Sequence, residues 1–166
     1  MNTFQTYTFP AAKNIAICGD IHGEFNSLIY KLCIQYQLTD TLLIVAGDCG
    51  FGFEKPGYYE QVFNRNSSRL RKSNNWIVMM RGNHDDPSYF SEEKITHQRF
   101  RTIPDYSVIQ ACGHNILCVG GAVSIDRTYR IEHNSKHPAS NVASYWEDEK
   151  PMFDEKSLNN IGQRFK

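Results

Sequence analysis

The stretch IAICGDIHG (residues 15–23) is an apolar run that stops at a glycine and then delivers an aspartate and a histidine two residues apart. Residues 14–18 have the length and composition of a buried strand, and its end opens onto a turn flanked by Gly19 and Gly23. Asp20 and His22 fall in that turn, ahead of a helix beginning near Glu24. A carboxylate oxygen and an imidazole nitrogen on one strand end can close on a divalent cation. Taken alone the triplet is a weak signal, because surface turns are rich in Asp and Gly for conformational reasons.

The same grammar recurs twice. LLIVAGDCG (42–50) places Asp48 after an apolar strand at 42–46, and WIVMMRGNHDD (76–86) places Asn83, His84 and Asp85 after a strand at 76–80. In an open α/β sheet, parallel strands set their carboxyl ends on one edge, and ligands bind at that edge. Between these strands, Phe25, Leu28, Ile29, Leu32 and Tyr36 recur at helical spacing and predict an amphipathic helix over 24–37. Tyr59, Val62, Phe63 and Leu70 predict a second helix over 58–72. Two successive βαβ units therefore bring Asp20, His22, Asp48 and Asn83 to one rim.

Beyond Pro87 the pattern becomes more antiparallel. Residues 106–111 and 116–119 read as a hairpin around a polar turn at 112–115. Residues 127–150 hold few apolar side chains and read as a long surface excursion, and 154–165 as a helix with Leu158 and Ile161 on its inner face. The 166 residues fit one domain with a sizeable core. Eighteen basic and eighteen acidic residues balance, so net charge gives no case for nucleic acid or an anionic membrane. The absence of a long apolar run or a signal-peptide core points to a cytoplasmic protein. Five cysteines without a CxxC pair are expected to be reduced thiols, and Cys49 is read as a small packing residue.

In this order, GD-x-HG at 19–23, GD at 47–48 and GNHD at 82–85 resemble the calcineurin-like metallophosphoesterases. GGAVSIDRTYR (120–130) and YWEDE (145–149) are similar to a bacterial and phage branch of that family. The resemblance implies an α/β fold with a β-sandwich core flanked by helices, and hydrolysis of phosphate mono- or diesters of a small substrate or nucleotide. It implies two divalent cations, with Mn²⁺ favoured and Fe²⁺, Zn²⁺ or Ni²⁺ as alternatives. Asp20 and His22 match ligands of the first cation, Asp48 the bridging ligand and Asn83 a ligand of the second. A metal-bound hydroxide would attack phosphorus. His84 matches the catalytic histidine that assists the leaving oxygen, a task suited to imidazole because it exchanges protons near neutral pH. Arg81, Arg127 and Arg130 are candidates for phosphate binding.

Two departures from the family pattern bear on activity. GDCGFG (47–52) lacks the Asp-Arg-Gly that orients the histidine in the protein-phosphatase branch, leaving Asp85 as a candidate for that task. The later lone histidine and Gly-His-x-His turn are not recognisable either. His97, His133 and His137 remain, and Asn134, Ser135 and Pro138 argue against a helix that would align the last two. The expectation is thus a C-terminally incomplete domain, with an uncovered strand edge that favours a homo-oligomer. The alternatives are a catalytically weak or inactive relative that binds a nucleotide or partner, and an unrelated α/β binding protein whose motifs are turn chemistry.

Overall fold

The computed structural model describes residues 4–136 and 146–165. The chain opens with a short strand, β1 (Thr6–Phe9), and then alternates strand and helix: β2 (Asn14–Cys18), α1 (Phe25–Tyr30), β3 (Thr41–Ala46), α2 (Pro56–Lys72), β4 (Trp76–Met80) and a single turn, α3 (Ser88–Ser91). Two small strands, β5 (Thr96–His97) and β6 (Phe100–Thr102), precede β7 (Ser107–Ala111) and β8 (His114–Cys118). Helices α4 (Arg127–Lys136) and α5 (Glu155–Arg164) follow.

The strands form two sheets. One has the order β2-β3-β4-β6-β5, parallel except for β5, and the other the order β1-β7-β8, with β1 parallel to β7. Apart from Thr41, strands β3 and β4 are apolar because both of their faces are covered. Leu43, Val45, Ile77 and Met79 pack with Phe25 and Ile29 of α1. Their alternating neighbours Leu42, Ile44, Trp76 and Val78 pack with Tyr7, Phe9 and Ile109 of the second sheet. Burial of a side chain such as Leu42 or Ile77 contributes roughly 1.5–3 kcal/mol, so this central pair of strands anchors the turns that carry Asp48 and Asn83 at its ends. The architecture is the expected α/β sandwich flanked by helices.

Several local expectations change. Helix α1 runs into a π-helical turn, Lys31–Gln35, closed by the Tyr36 N–H donating to the Lys31 carbonyl at 2.9 Å. The extra residue in that turn rotates Tyr36 off the packed face, and it is 61% exposed. The hairpin between β7 and β8 turns on Cys112 and Gly113 alone, both at positive φ, because Ala111 pairs directly with His114. The span 127–150 is not simply a surface excursion: it contains α4, and Arg130 and Glu149 within it are buried. Ser135 is accommodated in α4 by donating its hydroxyl to the Glu132 carbonyl. His133 lies on that helix, 6.2 Å from the Tyr129 ring, and His137 lies outside the described residues. His97 stacks on Phe63 at 3.6 Å and pairs with Glu60 at 2.9 Å. Asp154 caps α5 by accepting the Ser157 N–H, and Ile161 is the helix's buried apolar contact with Phe4 and Val108.

Candidate metal centre

The three ligand turns are joined through their backbones. Beyond the end of the β2–β3 ladder, the His22 N–H donates to the Asp48 carbonyl at 2.9 Å and the Gly23 N–H to the Cys49 carbonyl at 2.8 Å. The Asp48 carboxylate in turn accepts the backbone N–H of His84 at 3.1 Å. Glycine is required at Gly82, where a Cβ would collide with the Asp48 carboxylate and backbone. Asp20, His22 and Asp48 themselves sit in the left-handed region, at φ of 53°, 42° and 49°. Such a conformation costs a non-glycine residue on the order of 1 kcal/mol or more and persists only where its surroundings fix it.

Asp85 supplies much of that fixing. Its fully buried carboxylate accepts four backbone N–H groups: Cys49 at 3.0 Å, Gly50 at 2.6 Å, Phe51 at 3.0 Å and Gly82 at 2.8 Å. Burial holds its pKa above the usual carboxylate range, with the four donors pulling in the opposite direction. Its oxygens are therefore spent on the second and third turns, so Asp85 braces the backbone rather than orienting the His84 ring. Tyr59 closes the same loop from α2, donating to the Gly50 carbonyl and accepting the N–H groups of Gly52 and Glu54. The Trp146 ring lies against Gly52 as a half-buried anchor. Cys49 is fully buried and desolvation pushes its thiol well up, in keeping with a packing role.

Asp20, His22 and Asp48 each offer a donor atom, and these atoms all lie within 4.8 Å of one another. His22 Nε2 stands 3.9 Å from Asp20 Oδ1, with the Asp20 side chain 81% exposed. Together with Asn83, the two aspartates line a cleft of about 210 Å³ whose far wall is the segment 119–122. The Asn83 amide nitrogen donates to Ser124 Oγ at 2.9 Å. The His84 ring meets the His22 ring edge-on at 5.5 Å, which places it beside the cluster.

The Arg81 guanidinium, a phosphate-binding candidate in the sequence, is committed within the protein. Nε and Nη2 bind Asp105 Oδ2 at 2.8 and 2.7 Å, Nη1 binds the carbonyls of Asp148 and Glu149, and Nη2 also binds that of Lys150. All five donors of the guanidinium are used, so none is left for a substrate oxygen. The guanidinium instead ties the end of β4 to the segments around the cleft. Arg127, at the start of α4, is half-buried and engaged within the protein.

The calcineurin-like phosphoesterase family matches residues 13–161, which span all three turns and every strand but β1. The chain belongs to this family. Calcineurin-like phosphoesterases are phosphoric ester hydrolases that use divalent metal ions. Among curated proteins, the chain is similar to the serine/threonine-protein phosphatase 6 catalytic subunit of Drosophila melanogaster, with 32% identity over 82 residues. That alignment covers 49% of this chain and 26% of the relative, so the chain matches about a quarter of that protein's length. No solved structure matches.

The donor set fits the metals that calcineurin-like phosphoesterases use. Two carboxylates, an imidazole and an amide converge on one strand edge, and oxygen with nitrogen ligands of this kind suit first-row divalent cations. The structure also brings in groups that the sequence reading did not single out. The wall at 119–122 and the buried Ser124 lie between the hairpin and α4, in a region without strand or helix periodicity, and the buried Glu149 lies beyond α4; Arg130, a phosphate-binding candidate in the sequence, is instead buried on α4 beside Glu149. The signal available for them was the charge-bearing tail of GGAVSIDRTYR and YWEDE, whose arginine and glutamate turn inward.

Proposed function

We propose that the chain hydrolyses phosphate mono- or diesters with divalent cations held by Asp20, His22, Asp48 and Asn83. The supporting observation is the approach of the Asp20, His22 and Asp48 donor atoms to within 4.8 Å on the ends of parallel strands. Cations bound there would supply Lewis acidity toward both the ester and water. In this reading Asp48 bridges, Asn83 presents its amide oxygen, and His84 delivers a proton to the leaving oxygen or binds the phosphate. With Arg81 committed elsewhere, Arg127 is the proposed phosphate counter-charge. Mn²⁺ is the proposed metal, and a small phosphorylated compound or nucleotide the substrate class. Release of nitrophenol from p-nitrophenyl phosphate and its bis-ester, with and without Mn²⁺, tests the proposal. Mn²⁺-dependent turnover abolished by Asp48→Asn is the expected result, and turnover indifferent to both would overturn it.

One observation favours a second reading, a binding protein with little or no turnover. Among the described residues, only one group of three His, Cys, Asp or Glu donors comes together, so a second cation would rest on Asp48, Asn83 and solvent. Stoichiometric Mn²⁺ binding without hydrolysis of either ester would establish that alternative. We further propose that the chain self-associates through sheet edges, since among the described residues β2 pairs only with β3 and β8 only with β7. A monodisperse monomer in light scattering would refute it.

A further inference from the structure

We infer that Ser124, held by Glu149 and Arg130, is a positioning residue that dictates which way the Asn83 amide faces. Four side chains meet at the Ser124 hydroxyl, and all but Asn83 are almost wholly buried. Ser124 is 5% exposed, Arg130 4% and Glu149 0%. The Glu149 carboxylate accepts the Ser124 hydroxyl at 2.6 Å through Oε2 and the Ser124 backbone N–H at 3.2 Å through Oε1. Arg130 donates through Nη1 to Ser124 Oγ at 2.5 Å and through Nη2 to the Asn83 carbonyl at 3.4 Å. Nη1 also stands 3.5 Å from Glu149 Oε2.

Proton bookkeeping leaves one arrangement. A carboxylate paired with a guanidinium only accepts, so the single hydroxyl proton of Ser124 goes to Glu149. A guanidinium only donates, so it takes one of the two lone pairs on Ser124 Oγ. The remaining lone pair must face a donor, and the group 2.9 Å away is the Asn83 amide. Were that amide reversed, its oxygen would confront the lone pair, and the buried Ser124 oxygen would lose a donor. The network therefore holds the NH₂ group on Ser124 and turns Oδ1 away from it, on a side chain that lines the cleft with Asp48.

The orientation matters because an amide binds a cation only through its oxygen. The inference rests on the proposed role of Asn83 as a metal ligand. It adds that three residues 41 to 66 positions away in the sequence, none of them a ligand, set the fraction of molecules in which that ligand is presented. Groups that orient a metal ligand from behind typically change metal affinity by roughly 10- to 100-fold when removed.

The test is a double-mutant cycle read by Mn²⁺ titration calorimetry, with thermal melts run on every variant. Ser124→Ala should weaken Mn²⁺ binding by about 10-fold or more, and Ser124→Thr, which keeps the hydroxyl, should restore it. Ser124→Cys, which nearly preserves volume but accepts hydrogen bonds poorly, should behave like Ser124→Ala and serves if that variant folds badly. In an Asn83→Asp background the ligand has two equivalent oxygens and no wrong face, so Ser124→Ala should then change affinity by less than about threefold. A metal-free readout accompanies this: the Asn83 side-chain NH₂ resonances should be protected from hydrogen exchange in the parent protein and lose protection in Ser124→Ala. Equal weakening in both backgrounds, or unaltered binding and exchange in Ser124→Ala, would overturn the inference. Asn83→Ala separates the two levels. If it leaves Mn²⁺ binding unchanged, the ligand assignment itself fails; if it weakens binding while Ser124→Ala does not, only the positioning role fails.

Discussion

The backbone N–H of His84 donates to the Asp48 carboxylate at 3.1 Å, so the side chain proposed to bridge the cations also holds the third turn against the second. Asp48→Asn removes the charge yet keeps an oxygen that can accept the same N–H. The variant should lose less than about 1 kcal/mol of stability. Its Mn²⁺-stimulated phosphoesterase rate should fall at least about 100-fold, because the ligand shared between cations has lost its charge. Urea melts and nitrophenyl phosphate kinetics on one preparation separate the two effects, and a rate preserved within a factor of two would sink the bridging role.

Asp85→Asn should be far more damaging to the fold. An amide offers one oxygen to four converging N–H groups and turns its own NH₂ into the cluster. The expected loss is about 2–4 kcal/mol, measured by urea denaturation, because buried donors go unsatisfied. A loss below about 1 kcal/mol would mean that the three turns are held by other contacts.

Tyr59 should give the alkaline limb of the stability curve a recognisable slope. Burial raises its phenol from 10.0 to about 12, so the unfolded chain ionises first as pH rises. Stability from this group is therefore full below pH 10 and declines as pH approaches 12. Tyr59→Phe should remove that contribution to the slope and cost roughly 1–3 kcal/mol at neutral pH, by stripping partners from Gly50, Gly52 and Glu54. An identical alkaline profile in the variant would show that the phenol plays no such part.

Arg81→Lys keeps the charge but replaces a planar fork of five donors by a point with three. The Asp105 pair and the carbonyls of Asp148, Glu149 and Lys150 cannot all be satisfied, and about 2–4 kcal/mol of stability should go. Gly121 donates its N–H to the Arg81 carbonyl and a Cβ at Gly120 would meet the Arg81 side chain, so the cleft wall should loosen too. Faster amide exchange over 119–122 would register this, whereas unaltered exchange and melting would refute the bracing role.

The ligand turns were legible because each closes an apolar strand with a glycine and a donor side chain, a signal confined to nine or so neighbouring residues. β1 was not legible: its four residues find their partner in β7, across about a hundred positions, and local periodicity carries no trace of that pairing. The bracing contacts of Arg81 and Asp85 were not legible for a related reason. The sequence shows a guanidinium and a carboxylate beside the site, but their hydrogen-bonding capacity is consumed by Asp105, by the 148–150 carbonyls and by backbone N–H groups. Helix α4 was passed over because Asn134, Ser135 and Pro138 read as breakers, whereas the described residues are helical from Arg127 through Asn134 and Ser135 to Lys136.

Asp20, His22 and Asp48 occupy backbone conformations where glycine would be the cheaper residue, so chain geometry alone would not choose them. Hydrogen bonds between protein groups hold these turns against one another. A cation bound there as proposed would have only to shed its water, so the pace of loading should follow the dehydration rate of each metal rather than a slow rearrangement of the polypeptide.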